Sequence, residues 1–599
     1  MDRHIFQFNQ VDDHHQQPPI EEVLSFPIVL SDRILHAVDD SKSYKLECAD
    51  VGKQVDRLSQ MLRSAVRLAN STPSFYERPV RRIFTDVAKT LNRALNLVRK
   101  CRRGGFFRRF VSIVGVVDFR KLFNLLDASI GDVKWLLSIF DVDGESGGIA
   151  GGGGIVLSLP PIASNDPILS WVWSYIASLH FCSINVKIEA AHELSSLSRD
   201  NDRNKKIIIE EGGISPLLKL LKEKSSPEAQ IAAAMALCNL ANDQNNTRVI
   251  VNEHGIPNIV QIFRNSPILV QIEVAKLIAR MAEHDSVSQE GFARENVIGS
   301  LVSFLSFNMF IDDDGLRGKT NKFLKKVIHP NVEINTQVDR SLIMCSDNSN
   351  KRGKKEPQDL ILEFKTNCSG ALWMLARGSI ANSRKITETK GLLYLAKLIE
   401  KENGELQINC LMTIIEITAA AEYNPDLRRS AFKTNSPSAK AIVDQLLRLI
   451  HESDNPVTKI PAIKAIGHLA RTFPSRETRV IGPLVKQLSH KNPIVGTESV
   501  IALCKFTCEE NFLHAEHSKT IVEFKGLPPL MNLLRGNERT QYHALVLLCY
   551  LAMHAGINES FEQRRLLTAL EGADNSVACR HSELRELVAK AVQYLKILS

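Results

Sequence analysis

Aromatic side chains are scarce in this chain, 6% of 599 residues, and the net charge is small, +8 from 75 Lys+Arg against 67 Asp+Glu. With so little bulk charge, an anionic partner has to be met by a local patch. Long apolar runs are missing too: Ile168 to Phe181 is broken by serines and spans 14 residues, short of the ~20 that cross a bilayer, so no transmembrane helix is expected. The 11 cysteines are odd in number and recur at no short spacing, which argues against a disulfide framework and for a reducing compartment. Met1 to Gln17 has no basic stretch feeding an apolar one, so no signal peptide is expected. What remains is a globular mix, 44% hydrophobic and 24% charged, in a chain well beyond the ~250–300 residues at which one core stops growing. Several modules or a repeat array are expected.

Motifs that carry chemistry are also lacking. No HExxH, GxSxG or CxxC occurs. The nearest approach to a phosphate loop, Asp313 to Thr320, ends in Gly318-Lys319-Thr320 but has Asp where the first Gly belongs, and that carboxylate would oppose phosphate. Gly151 to Gly154 follows no strand and reads as linker. His514 with His517, and Cys504 with Cys508, have spacings open to metal ligation. Cys238, Cys504 and Cys549, however, each follow a leucine (Leu237, Leu503, Leu548) at one register, which makes them small packing residues. No catalytic residue, cofactor or metal is expected, and the chain is read as a non-enzyme.

One phrase does recur: Gly213-Ile-Ser-Pro-Leu-Leu-Lys-Leu-Leu221, Gly255-Ile-Pro-Asn-Ile-Val-Gln-Ile-Phe263 and Gly526-Leu-Pro-Pro-Leu-Met-Asn-Leu-Leu534, with degenerate copies from Val297, Gly391, Ile442 and Val480. Each precedes a longer amphipathic helix. The last apolar position of that helix falls at Leu197, Leu240, Met281, Leu375, Ile417, Leu469, Phe506, Leu551 and Leu595, in steps of 43, 41, 94, 42, 52, 37, 45 and 44. A helical period of ~40–47 residues belongs to armadillo or HEAT arrays, and the phrase order selects armadillo. In this reading Gly supplies the positive φ of a tight turn, Pro fits the first helical turn, and each repeat shares its core with its neighbours. The 94-residue step means either that one copy has lost its third helix or that a segment has been inserted between Asn308 and Pro357.

The expected fold is therefore all-α, an N-terminal helical bundle followed by a right-handed armadillo superhelix. Residues 1–27 read as disordered, 28–140 as the bundle, 141–158 as a Gly-rich linker and 159–599 as the array, with a polar, mobile loop at about 308–357. From Arg78 to Lys121 thirteen Lys/Arg face only Asp86 and Asp118, a local +11. Arg102-Arg103-Gly-Gly-Phe106-Phe107-Arg108-Arg109-Phe110 interleaves cations with aromatics, which suits an anionic membrane surface or an acidic partner. A solvated helix face accounts for the same cations equally well, and nucleic acid, for which no motif is present, is not expected. Along the array, the position before each last apolar residue nominates a protein-binding groove: Asn239, Arg280, Met374, Glu416, His468, Lys505 and Tyr550, flanked by Ser196 and Tyr594.

Four stretches carry a resemblance to a known group. They are Tyr76-Glu-Arg-Pro79 with Arg81-Arg82-Ile83; Ser129-Ile-Gly-Asp-Val133 with Trp135-Leu136-Leu137; Leu159-Pro-Pro-Ile-Ala163 with Asp166-Pro-Ile-Leu169; and Arg199 to Arg203 through Glu210-Glu-Gly-Gly-Ile214. Together they resemble the plant armadillo-repeat-only proteins. The resemblance implies a non-enzymatic adaptor, in some members acting in Rho-type GTPase signalling and polarised growth, at the cytoplasm and plasma membrane. Two alternatives are a ubiquitin-ligase component or regulator and a nuclear transport adaptor, the latter suggested by the basic Lys351 to Lys355. Nuclear import receptors share the fold but hold basic peptides with recurring Trp and Asn pairs. Here Asn239 stands alone and Met235 takes the matching Trp position.

Overall fold

The structure, a computed structural model, describes residues 19–71, 76–102, 115–140, 160–163, 166–306, 357–433, 435–474, 478–556, 560–573 and 580–598. It divides into two compact units, Met1–Leu240 and Ala241–Ser599. No strand occurs among the described residues.

In the first unit, α1 (Ile20–Asp39), α2 (Lys45–Ser71), α3 (Glu77–Arg102) and α4 (Val116–Phe140) form a four-helix bundle in which α1 and α4 each pack on both α2 and α3. The pattern of α3 explains its place. Val80, Ile83, Phe84, Val87, Leu91, Leu95 and Val98 line its buried face, and its cations take the other. Helix α1 begins inside the segment expected to be disordered to residue 27. Glu21 and Glu22 suit its positive N-terminal end, and Leu24, Leu30 and Ile34 are buried.

The linker expected at 141–158 lies outside the described residues. The contacts do not separate bundle from array there; the division follows Leu240, and the first unit also holds α5 (Pro167–Phe181), α6 (Ile184–Ser198), α7 (Asp202–Glu210), α8 (Ile214–Leu221) and α9 (Pro227–Leu240). A 3-10 turn at Pro161–Ala163 lies against α4 and α5. Its Ile162 N–H donates to Asp132 Oδ1 at 2.7 Å. A Cβ on Gly131 would stand 2.9 Å from Pro161 Cγ, so glycine is what lets the turn approach.

The second unit continues with α10 (Gln244–Asn252), α11 (Gly255–Asn265), α12 (Ile268–His284), α13 (Ser286–Arg294), α14 (Val297–Leu305), α15 (Pro357–Ala376), α16 (Ile380–Glu388), α17 (Gly391–Lys401) and α18 (Gly404–Tyr423). It ends with α19 (Pro425–Ala431), α20 (Pro437–Glu452), α21 (Pro456–His468), α22 (Ile481–Gln487), α23 (Pro493–Thr507), α24 (His514–Glu523), α25 (Leu527–Leu533), α26 (Glu538–His554), α27 (Ser560–Ala573) and α28 (Ser582–Leu598). The third helices stack in order: α12 on α15, then α18, α21, α23, α26 and α28. Direct packing of α12 on α15 resolves the long step. The third helix of that repeat is present as α15, and residues 307–356, which hold the expected polar loop and lie outside the described residues, fall between its second and third helices.

The role expected of the recurring glycine is corrected. Gly213 and Gly526 have ordinary helical φ, −68° and −71°. The positive φ falls one residue earlier, on Gly212 (+83°), His254 (+55°), Lys390 (+62°) and Lys525 (+58°). The glycine is needed for close approach instead. A Cβ would lie 2.7 Å from Ile208 Cγ2 at Gly213, 2.6 Å from Ile250 O at Gly255, 2.7 Å from Ile386 Cγ2 at Gly391 and 2.8 Å from Ile521 Cγ2 at Gly526. Glutamines in the third helices also recur in one role. Gln230, Gln271 and Gln407 donate to the carbonyls of Leu221, Phe263 and Ile399 at 3.2, 2.8 and 2.9 Å, closing the end of the preceding helix.

Candidate functional site

The residues nominated for the groove fall into two classes. Those in the middle of the array are bound to other residues of the array. Glu416 accepts from the Gly378 N–H at 3.2 Å across the step between repeats. Lys505 Nζ reaches Glu422 Oε2 at 2.7 Å, and Thr418 Oγ1 lies 3.2 Å from His468 Nδ1. Burial, with help from the Lys505 and Lys464 charges, pushes the His468 imidazole down to about 3. It is neutral at physiological pH, so its 3.9 Å approach to Glu422 is no ion pair; Lys505 is the partner of that carboxylate. Glu422 had not been nominated, because it lies in the last turn of α18, beyond the position used as a ruler. A carboxylate one helical turn or more past that position is the sequence signal that would find it.

Other nominees are differently placed. In the first unit Asn239 donates to Ser195 O at 2.9 Å and to Ser195 Oγ at 3.0 Å, tying α9 to α6. Met374 is half-buried, and its carbonyl accepts from Gln289 Nε2 at 2.9 Å. Tyr550 is half-buried with its ring stacked 6.2 Å from that of His554, and burial raises its hydroxyl to about 12. Arg280 is exposed, with Glu283 as its partner at 3.2 Å. Tyr423, not nominated, stands 81% exposed at the end of α18. Arg280 and Tyr423 are thus better placed to meet a partner than Glu416, His468 or Lys505.

His468 makes a testable contribution to stability. Its folded pKa lies below the ordinary histidine value of 6.5, so the stability it supplies is present above pH 6.5 and is lost as pH falls toward 3. His468→Gln should flatten that acid loss, read from urea midpoints at pH 7 and pH 4. An imidazole titrating between pH 5 and 8 by NMR would contradict the buried, neutral state.

Of the four cations nominated for an anionic surface, Arg102 pairs with Asp40 at 3.2 Å; Arg103, Arg108 and Arg109 lie outside the described residues, as do Phe106, Phe107 and Phe110. The end of the bundle from which that segment departs is described. Lys42 N and Ser43 N both donate to Cys101 O at 3.2 Å, and the Tyr44 and Phe119 rings are 5.5 Å apart, so the start of α2, the end of α3 and the start of α4 meet there. Leu46, Val116 and Val117 are 81%, 51% and 60% exposed at this end. Arg99 and Lys100, in the last turn of α3, and Arg120 and Lys121, near the start of α4, belong to the same end, exposed and without an ion pair among the described residues.

At the opposite part of α3 the cations are mostly neutralised. A cleft of about 960 Å³ lies between α3 and the end of α7, lined by Arg78, Arg81, Arg82, Lys89, Glu77 and Asp86 among others. Arg81 pairs with Glu77 at 2.9 Å and Lys89 with Asp86 at 3.2 Å. Glu211 takes Arg82 at 3.4 Å and Trp173 Nε1 at 2.8 Å, while its carbonyl accepts from Tyr76 OH at 2.9 Å. Arg82 lies over the Trp173 ring at 5.7 Å. These bonds hold the bundle to the first repeats of its own unit.

The spacings open to metal ligation resolve into packing. His517 Nδ1 lies 3.3 Å from Phe506 O, and Cys504 Sγ donates weakly to His543 O at 3.5 Å. Burial raises the Cys504 and Cys549 thiols far above the ordinary range, as a packed, un-ionised sulfur requires. No cluster of three or more metal-ligating side chains occurs among the described residues. No described helix is long and apolar enough to cross a membrane. Asp313 to Thr320 and Lys351 to Lys355 lie outside the described residues.

Comparison with known proteins adds the following. Residues 201–242 match the Armadillo/beta-catenin-like repeat, and residues 21–141 match a domain of unknown function (DUF7792). No curated protein matches the chain. Among solved structures, an engineered protein is similar at 19% identity over 71% of this chain and 99% of its own, with a TM-score of 0.46. The designed armadillo repeat protein YIII(Dq)4CqI is similar at 18% identity over 49% of this chain and 98% of its own, with a TM-score of 0.37. A designed armadillo repeat protein in complex with peptide (KR)4 is similar at 16% identity over 49% and 98%, with a TM-score of 0.36. The repeat match coincides with α7, α8 and α9, and the same three-helix phrase recurs in the second unit. The fold is an armadillo-type α-solenoid, an architecture that presents binding surface for other proteins.

Proposed function

We propose that the chain is a non-enzymatic scaffold, which binds a protein partner along its third helices and meets an anionic membrane surface with one end of its bundle. The end of the bundle that carries exposed Leu46, Val116 and Val117 together with exposed Arg99, Lys100, Arg120 and Lys121 supports the membrane part most directly. Exposed apolar side chains cost little in water singly, but three at one end beside Arg99, Lys100, Arg120 and Lys121 match an interface of acyl chains beneath charged headgroups. The adjoining Arg103, Arg108 and Arg109 add charge to the same end in sequence. On this reading the protein works at the cytoplasmic face of the plasma membrane, and the family resemblance sets it within Rho-type GTPase signalling and polarised growth.

Co-sedimentation of the full chain with phosphatidylcholine vesicles, with and without phosphatidylserine, tests this. Binding should require the anionic lipid and fall with salt. Each cation near the surface is worth about 1 kcal/mol, so Ala at Arg102, Arg103, Arg108 and Arg109 together should weaken it by at least about 100-fold. Equal retention by neutral and anionic vesicles, unaffected by these changes, sinks the membrane reading.

A further inference from the structure

The cleft beside α3 holds one guanidinium that the fold seats without satisfying. Arg78, Arg81, Arg82, Thr85 and Lys89 follow at i, i+3, i+4, i+7 and i+11, so they share one face of α3, opposite to buried Val80, Ile83, Phe84 and Val87. That face and the turn from Glu210 to Gly212 wall the cleft of about 960 Å³. Arg82 is spent on Glu211 and the Trp173 ring. On the far wall Glu210 is engaged as well, by Lys206 at 3.7 Å. Arg78, by contrast, is exposed and makes no hydrogen bond or ion pair among the described residues. It nevertheless lies on the turn: a Cβ at Gly212 would stand 3.0 Å from Arg78 Nε and 3.5 Å from its Cζ. Bare backbone at φ +83° is what seats it.

The neighbouring cations are held loosely. Arg81 pairs with Glu77 and Lys89 with Asp86 inside α3 itself, and those carboxylates are 48% and 54% exposed. Intrahelical pairs of that exposure contribute little, so a stronger anion exchanges with them cheaply. A carboxylate ligand would only replace like with like. A phosphomonoester carries nearly two charges and three acceptor oxygens, and it takes the two-pronged donation that Arg78 has to spare. The geometry points to a binding site for a phosphoserine or phosphothreonine in a segment of a partner protein, with Arg78 as its main contact and Arg81, Lys89 and the Thr85 hydroxyl beside it. Arg78 is exposed, so a short side chain reaches it, and the cleft is far larger than one phosphate group, so it takes the flanking peptide too. Arg78 stands about 30 Å along α3 from Arg99, at ~1.5 Å per residue. A membrane met at the Arg99 end therefore leaves this cleft clear of its headgroups.

Two short synthetic peptide libraries with random flanks are the probe, one with phosphoserine and the other with serine at the centre. Immobilised and read by biolayer interferometry, the phosphoserine library should retain the full chain about ten-fold more strongly or better, and single peptides selected from it should bind with Kd below about 50 µM. Arg78→Gln keeps the stem over Gly212 and removes the charge, so it should weaken those peptides by about ten-fold or more. Arg78→Lys, a point charge without the fork, should fall between. Because Arg78 spends no bond within the fold, neither variant should shift thermal melting. If one does, Arg81→Gln with Lys89→Gln decides, expected to weaken binding by about three-fold or more at low salt and less at high salt. The proposal is overturned by equal retention on both libraries, by unchanged affinity in a folded Arg78→Gln variant, or by inorganic phosphate binding as tightly as the peptides. Retention of the chain through Arg78 on phosphatidylcholine vesicles containing phosphatidylinositol bisphosphate, without retention by the phosphopeptides, would overturn it in favour of a lipid headgroup.

Discussion

Trp173→Ala is expected to lower the stability of the first unit by about 3–5 kcal/mol, the range for truncating a fully buried Trp. Trp173 is 0% exposed, faces Trp135 of α4 at 5.7 Å, lies under Arg82 of α3 and donates to Glu211 just beyond α7. Removing it opens a void and leaves the half-buried Glu211 carboxylate short of one donor. Because its neighbours belong to the bundle and to the repeats alike, the loss should be felt on both sides. Amide exchange should accelerate by roughly 100-fold or more in α3 and α7 together, wherever exchange proceeds by opening of the whole unit. Unchanged exchange in α3 would mean that bundle and repeats unfold separately, and the single compact unit would be refuted as an energetic one.

The second large effect is predicted at a glycine. Gly255→Ala places a methyl group 2.6 Å from a backbone oxygen, which no side-chain rotation can relieve. The helix start has to shift, at about 2–3 kcal/mol by analogy with overpacked cores. His254→Gly should act in the opposite sense, since its left-handed backbone costs a non-glycine residue about 1 kcal/mol. Urea unfolding of the pair separates the two roles. If Gly255→Ala is neutral while His254→Gly is strongly stabilising, backbone conformation governs this turn and close approach does not.

That distinction marks where sequence reading reached its limit. The phrase Gly-x-Pro followed by apolar residues is a local pattern, and it locates the second helices well. Why glycine is needed depends on Ile208, Ile250, Ile386 and Ile521 in the helix before, a contact that no composition rule reveals. The long step after Met281 was likewise legible as an anomaly, but its two explanations differ only in which third helices touch. The groove nominees were chosen by position along one helix. Lys505 instead pairs with Glu422, two third helices away, and His468 meets Thr418 on the adjacent one, because stacked helices bring side chains within reach across a repeat.

The stretches behind the family resemblance turn out to have a shared location. Gly131 admits Pro161, Asp132 binds Ile162, Trp135 meets Trp173, and Tyr76 binds Glu211. Asp166 pairs with Arg203 at 2.8 Å in the same unit. They are the joint between bundle and repeats. As isolated words in the sequence they looked like scattered markers, and only their convergence shows that they serve one piece of architecture.

The insertion at 307–356 has a consequence for how this chain can change. It departs after α14 and returns at α15, while α12 and α15 already pack against each other. Closing a longer excursion costs only about 0.6 kcal/mol for each doubling of its length. Lengthening the sequence between α14 and α15 is therefore expected to cost little in chain closure, because α12 and α15 hold each other whatever its length.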